Sequence, residues 1–196
     1  MKTDASAQPA TDSPAEEREL FELVRARSFR RGHFILSSGV ESEMYFNLKP
    51  TMLDPRGAFL SAAMFMKIIV TEKTAYVGGL EMGAVPMLGS LAALSEMLNH
   101  PVRTFFVRKK PKTHGTQELI EGLAPDETLA GARVMIVDDV ATTGSSALIA
   151  AQAARAAGAI VDCALVLVDR QEGASEMLAK EGIRLLSVLR GPDFLK

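Results

Sequence analysis

Residues 133–146 read RVMIVDDVATTGSS. Val134 to Val137 form a short, unbroken apolar run, the pattern of a strand covered on both faces of a parallel sheet. Asp138 and Asp139 stand where that strand is expected to end. Val140, Ala141, Thr142, Thr143, Gly144, Ser145 and Ser146 continue as a small, hydroxyl-rich turn, and the Ala-rich stretch from about Ser145 to Ala157 reads as a helix.

Open α/β sheets bind ligands beyond the carboxyl ends of their strands, so the acids and the turn are expected to face one crevice. The turn opens a helix, whose free N–H groups and positive dipole end favour an anion, and the Thr and Ser hydroxyls add donors. Two carboxylates repel a phosphate and suit hydroxyl donors instead. The unit therefore fits a ribose 5-phosphate, with the vicinal diol on Asp138 and Asp139 and the phosphate on Thr142 to Ser146. Other nucleotide patterns fit poorly. A P-loop requires a Lys after its last Gly, and none follows Gly144; a dinucleotide fingerprint places its acid after the glycines, whereas here the acids come first. Paired acids at a strand end also suit direct coordination of Mg²⁺, and the plainest alternative is a capped helix after a buried strand.

The 196 residues suit one domain with a substantial core. With 47% hydrophobic and 23% charged residues and a net charge of -2, the chain has no basic field to draw nucleic acid. Cys163 is the single cysteine, which allows neither an intrachain disulfide nor a Cys-based zinc site and points to a reducing, cytoplasmic setting. No apolar stretch reaches the length of a membrane span, and the N-terminus carries no apolar signal core.

Outside the central unit, Met1 to about Asp12 reads as a disordered tail. Ser13-Pro14-Ala15-Glu16 starts a helix that is expected to run to about Arg27, with Leu20, Phe21, Leu23 and Val24 as its apolar face. Two short strands follow around a Ser37-Ser38-Gly39 turn, the first alternating through Phe34 and Leu36 and the second beginning at Met44, Tyr45 and Phe46. Asp54-Pro55 opens another helix, through Ile69. A strand from Ala75 to Val77 is expected to lead into a loop, Gly78-Gly79-Leu80-Glu81-Met82-Gly83, and then a helix from Val85 to Leu98. Val102 to Val107 reads as a strand, and RKKPKTHGTQELIEG (108–122) as a mobile cationic loop suited to closing over a polyanion. Gly158 is placed to end the central helix. Val161 to Val168 reads as a strand ending in Asp169-Arg170-Gln171-Glu172-Gly173, followed by a helix from Ala174 to Glu181 and a last strand from Ile183 to Val188. This alternation gives a central parallel α/β sheet flanked by helices, over residues of about 54–196, with a small β-containing hood over about 13–53.

Four separated motifs now carry a family resemblance. The apolar strand, two acids, spacer and T-x-G-[ST] of 134–145 resemble the phosphoribosyl diphosphate signature of the type I phosphoribosyltransferases. F-x-L-x-S-G-x-x-S-x-x-Y-F (34–46), R-K-x-x-K-x-H-G-T-x-x-x-I-E-G (108–122) and D-R-x-E (169–172) resemble the hood, catalytic loop and base-contacting turn of the orotate phosphoribosyltransferases. The resemblance implies transfer of the phosphoribosyl group from phosphoribosyl diphosphate to N1 of orotate. It implies Mg²⁺ held through the substrate's diphosphate and water rather than by protein ligands, and a homodimer whose 108–118 loop reaches the partner's site. Arg108, Lys109, Lys112 and His114 are implied on the diphosphate, and Lys112, His114, Arg108, Asp138 and Asp139 in catalysis. Tyr45, Phe46 and Thr142 are implied beside the orotate ring, with Arg170 making a two-bond guanidinium contact to this planar anion. Two positions depart from the pattern. Ser37 stands where some members carry a Lys that helps to hold orotate, and Met82 where members often carry a Lys near the end of the diphosphate loop. A phosphoribosyltransferase for another base, or a ligand-sensing regulator that keeps the sugar site, are the alternatives at this point.

Overall fold

The computed structural model describes residues 13–35, 41–110 and 119–196. The expected tail, the 37–39 turn with Ser37, and Lys112 and His114 all lie outside the described residues. Helix α1 (Ser13–Arg27) buries Leu20 and Val24 completely, with Phe21 and Leu23 packed against the same core. Strands β1 (Phe29–Ile35) and β2 (Glu41–Phe46) pair antiparallel, Phe29 opposite Phe46. A single turn, α2 (Lys49–Met52), connects them to α3 (Pro55–Thr71). There Asp54 caps the helix, its carboxylate accepting from the N–H groups of Arg56 and Gly57, while Pro55 fills the first helical position, where no N–H is needed.

The main sheet is built from β3 (Tyr76–Leu80), β4 (Arg103–Val107), β5 (Ile120–Glu121), β6 (Arg133–Ala141), β7 (Ile160–Asp169) and β8 (Arg184–Arg190), in the order β5-β4-β3-β6-β7-β8. All pairings are parallel except β4 with β5. Helices α4 (Val85–Met97), α5 (Ser145–Ala156) and α6 (Ala174–Lys180) connect the strands, and a 3-10 turn, Gly191–Leu195, closes the chain. Both faces of the sheet are covered, which is why β6 is apolar from Val134 to Val137. Met135 and Val137 join the cluster under α1, α3 and α4, and Val134 and Ile136 join the cluster under α5. Helix α5 meets the sheet through Ala147, Ala150, Ala151 and Ala154, all buried.

Two expectations are corrected here. Strand β6 does not stop before Asp138 but runs through both acids to Ala141, because the long β7 keeps pairing with it, Val140 opposite Val168 and Ala141 opposite Asp169. Gly78 and Gly79 lie within β3, not in the following loop. A Cβ at Gly78 would enter the ring of Phe105, and one at Gly79 would meet the Val137 carbonyl and the Ala84 methyl. These glycines serve close packing, a known use of glycine inside a strand. The loop proper begins at Glu81.

Candidate active site

The carboxyl ends of β3, β6 and β7, the start of α5 and the hood strand β2 enclose a cavity of about 740 Å³. Its wall includes every residue from Asp138 to Ala147, together with Tyr45, Phe46, Lys109 and Arg170. The strand end that the sequence marked is therefore the floor of a ligand-sized cleft, at the location expected for an open α/β sheet.

Asp138 and Asp139 are only 7% and 8% exposed. Each turns a carboxylate oxygen back onto the next backbone N–H: Asp139 N–H donates to Asp138 Oδ1 at 2.9 Å, and Val140 N–H donates to Asp139 Oδ1 at 2.8 Å. The second oxygen of each acid is not taken by these bonds. Burial, and after it the like charge of Asp139, push the Asp138 carboxyl well above the ordinary carboxylate range. Across from the pair, Gly83 backs directly onto both carboxylates.

The hydroxyl-rich turn ends at Gly144, which adopts φ 81° and needs no Cβ there, since one would press on Met177 and Leu178 of α6. No side chain caps α5. Its first internal bond is Leu148 N–H to the Gly144 carbonyl, so the N–H groups of Ser145, Ser146 and Ala147 have no intrahelical acceptor and point out of the helix start. With Thr142, Thr143, Ser145 and Ser146 around them, they form a cup of hydrogen-bond donors, the chemistry that suits an anion. A buried acid pair and an uncapped, hydroxyl-rich helix start thus stand side by side on one strand-turn-helix unit.

Sequence and structure comparisons agree with this geometry. Residues 52–185 match the family model of the phosphoribosyl transferase domain. An orotate phosphoribosyltransferase of Rhodopseudomonas palustris strain BisB18 is 50% identical over 182 residues, 93% of this chain and 97% of that protein. The chain belongs to the orotate phosphoribosyltransferase family. A Bradyrhizobium diazoefficiens orotate phosphoribosyltransferase is likewise 50% identical over 182 residues, 93% of this chain and 97% of its own length. The crystal structure of the Mycobacterium tuberculosis H37Rv enzyme in complex with 5-phospho-α-D-ribosyl 1-diphosphate superposes with a TM-score of 0.75 at 34% identity, covering 92% of this chain and 99% of that one.

Measured against the orotate phosphoribosyltransferase pattern, the remaining residues fall into two groups. Lys109 and the whole Asp138 to Ser146 stretch line the cavity, as does Arg170. Arg108 does not. The antiparallel β4–β5 pair brings Glu121 beside it, and Arg108 Nη1 bonds Glu121 Oε1 at 2.8 Å while Nε donates to the Lys110 carbonyl at 3.2 Å. In this structure Arg108 braces the stem of the cationic loop. Tyr45 and Phe46 both line the cavity. Neighbours on a strand face opposite sides, and the Phe46 ring is buried 5.2 Å from both Phe29 and Phe194. Phe46 thus packs the hood against the carboxyl-terminal turn while also lining the cavity, and Tyr45 is exposed with its ring 5.3 Å from that of Phe34.

Arg170 is 4% exposed, and its Nη2 is engaged by the protein, leaving the other end of the guanidinium for a ligand. Two polar lining residues, Asn47 and Lys49, lie outside every motif that the sequence marked. Lys49 adds a cation on the hood side. Glu81 Oε1 accepts the Lys109 N–H at 2.8 Å and so ties the β3–α4 loop, which contains a cis Glu81–Met82 peptide, to the start of the cationic loop.

Proposed function

We propose that this chain transfers the 5-phosphoribosyl group of phosphoribosyl diphosphate to N1 of orotate, giving orotidine 5′-monophosphate and diphosphate in pyrimidine (UMP) biosynthesis. The observation that carries the reading is the juxtaposition, in one cavity, of a buried acid pair, an uncapped helix start and a cationic segment. In the reaction the N1–C1′ bond forms on one face of the sugar and the N1 proton is lost to solvent, as the bond from C1′ to the diphosphate oxygen breaks on the other face, its electron pair leaving with the diphosphate. The ribose passes through an oxocarbenium-like state.

Asp138 and Asp139 accept from the sugar hydroxyls and fix C1′ in line. Thr142, Thr143 and the N–H groups of Gly144, Ser145 and Ser146 hold the 5-phosphate. Thr142 and Tyr45 border the base, and Arg170 meets the anionic ring through its free end. Lys109, Lys112 and His114 neutralise the departing diphosphate, and do more for the transition state than for the ground state because charge grows there as the bond breaks.

The site suits Mg²⁺ as cofactor. Asp138 and Asp139, two buried carboxylates side by side, would favour a cation's positive charge near them without serving as its direct ligands. When bound on the diphosphate, Mg²⁺ disperses its negative charge. The enzyme works as a homodimer in which the 108–118 loop serves the partner's site, the arrangement that its motif resembles. A single buried, unpaired thiol suits a cytoplasmic enzyme.

Calorimetric titration of phosphoribosyl diphosphate with Mg²⁺ tests the sugar-site reading. The double variant Asp138→Asn, Asp139→Asn is expected to bind about a hundredfold more weakly than the wild type. Unchanged affinity refutes it.

A further inference from the structure

The D-R-x-E turn contains an acid, Glu172, that the reaction above does not use. Arg170 Nη2 donates to Ser42 Oγ at 2.6 Å, to the Met44 carbonyl at 3.0 Å and to Glu172 Oε1 at 3.0 Å. Ser42 and Met44 belong to the hood strand β2, and Glu172 follows the carboxyl end of β7. Ser42 Oγ also accepts the Met44 N–H at 3.2 Å and lies 3.3 Å from Glu172 Oε1. Groups from the hood and from the sheet thus close around one nitrogen of a buried guanidinium.

Nη2 carries two hydrogens, and three acceptors share them, so it has nothing left for a ligand. Arg170 Nε and Glu172 Oε2 are shut away from water and have no hydrogen-bond partner among the described residues. Nη1 is neither bonded nor shut away among the described residues, and Arg170 lines the cavity. An orphaned donor and an orphaned acceptor on the two members of one ion pair are costly, and such a cost at a site calls for a functional reason. The reason is orientation. A guanidinium meeting a planar anion through one end must have its plane fixed, and the pins on Nη2 fix it before the ligand arrives.

We propose that Glu172 and Ser42 are positioning residues for Arg170, and that through Ser42 the hood strand sets the affinity of the enzyme for its base. This rests on the reading that Arg170 meets orotate. Neither residue touches the substrate; each acts by holding the guanidinium.

Steady-state kinetics on Ser42→Ala, Ser42→Thr, Glu172→Ala, Glu172→Gln and Arg170→Ala test it, with orotate varied at saturating phosphoribosyl diphosphate and then the reverse. Ser42→Ala and Glu172→Ala are expected to raise the KM for orotate about tenfold, with kcat within about twofold and the KM for phosphoribosyl diphosphate unmoved. Ser42→Thr and Glu172→Gln, which keep an acceptor for Nη2, recover most of the loss. Arg170→Ala raises the KM for orotate about a hundredfold. If Arg170→Ala leaves that KM alone, the base contact is wrong and this proposal falls with it. If Arg170→Ala raises it but the Ala variants of Ser42 and Glu172 do not, or raise both KM values together, the contact stands and the positioning role is overturned.

Discussion

Gly83 lies so close to Asp138 that a Cβ on it would come within 2.5 Å of Oδ1, and within 2.8 Å of Asp139 Oδ1. The backbone of the β3–α4 loop is thus the wall that keeps both carboxylates in place. Neither acid can withdraw easily, since each is buried and bonded to the next backbone N–H. Gly83→Ala is expected to displace the pair and lower kcat/KM for phosphoribosyl diphosphate by at least about tenfold. Steady-state kinetics check this, and a variant with wild-type kcat/KM contradicts it.

Asp138 gives a prediction with two opposite signs. Its folded-state pKa stands above the ordinary value of 3.8, mainly through burial and then through Asp139. The stabilising effect of the proton is fully present below that ordinary value and is lost as pH rises through the raised one, so at neutral pH the charge on Asp138 destabilises the fold. Asp138→Asn keeps the acceptor for the Asp139 N–H and removes the charge. At pH 7 it is expected to raise Tm by about 2–4 °C, the shift that about 1 kcal/mol gives in a domain of this size. The gain shrinks as the pH is lowered toward 3.8, and phosphoribosyl diphosphate affinity falls at the same time. Melting curves across pH, set beside binding, measure both; a destabilised variant at neutral pH contradicts the argument.

Asp54 separates stability from catalysis. Its carboxylate caps α3 through the N–H groups of Arg56 at 3.1 Å and Gly57 at 3.0 Å and pairs with Arg27 at 3.2 Å, away from the cavity. Asp54→Ala is expected to cost about 1 kcal/mol, lowering Tm by about 2–4 °C with kcat and both KM values unchanged.

The central unit was legible because its chemistry is local. Asp138 to Ser146 are neighbours in the chain, and a buried strand, two acids and a helix start follow from their order alone. What the sequence hides is set by distance and by packing. The Arg170–Ser42 bond joins residues 128 apart, and the contact of Phe46 with Phe194 likewise spans most of the chain, so no window reveals that Phe46 is an anchor. Gly78 and Gly79 read as a loop because glycine is a poor strand former. Only the Phe105 ring and the Val137 carbonyl, which come from other strands, explain why β3 needs them. Arg108 reads as one cation among several until the β4–β5 pairing sets Glu121 beside it.

Cys163 yields a chemical check on the sheet. Burial pushes its thiol up to about 11, so little thiolate forms at ordinary pH. The native protein is expected to leave this thiol unmodified by an aromatic disulfide reagent at pH 8, and to release one equivalent on unfolding in guanidinium. Fast labelling of the native protein contradicts the placement of Cys163 inside β7.

The most direct measurement is a spectrophotometric assay of orotate consumption with phosphoribosyl diphosphate and Mg²⁺, run beside uracil and hypoxanthine and repeated with a chelator. Orotate is expected to turn over and the other two bases are not, with turnover lost in the chelator and restored by added Mg²⁺. Binding of phosphoribosyl diphosphate with no turnover of orotate contradicts the account and leaves a sugar-phosphate sensor in place of an enzyme.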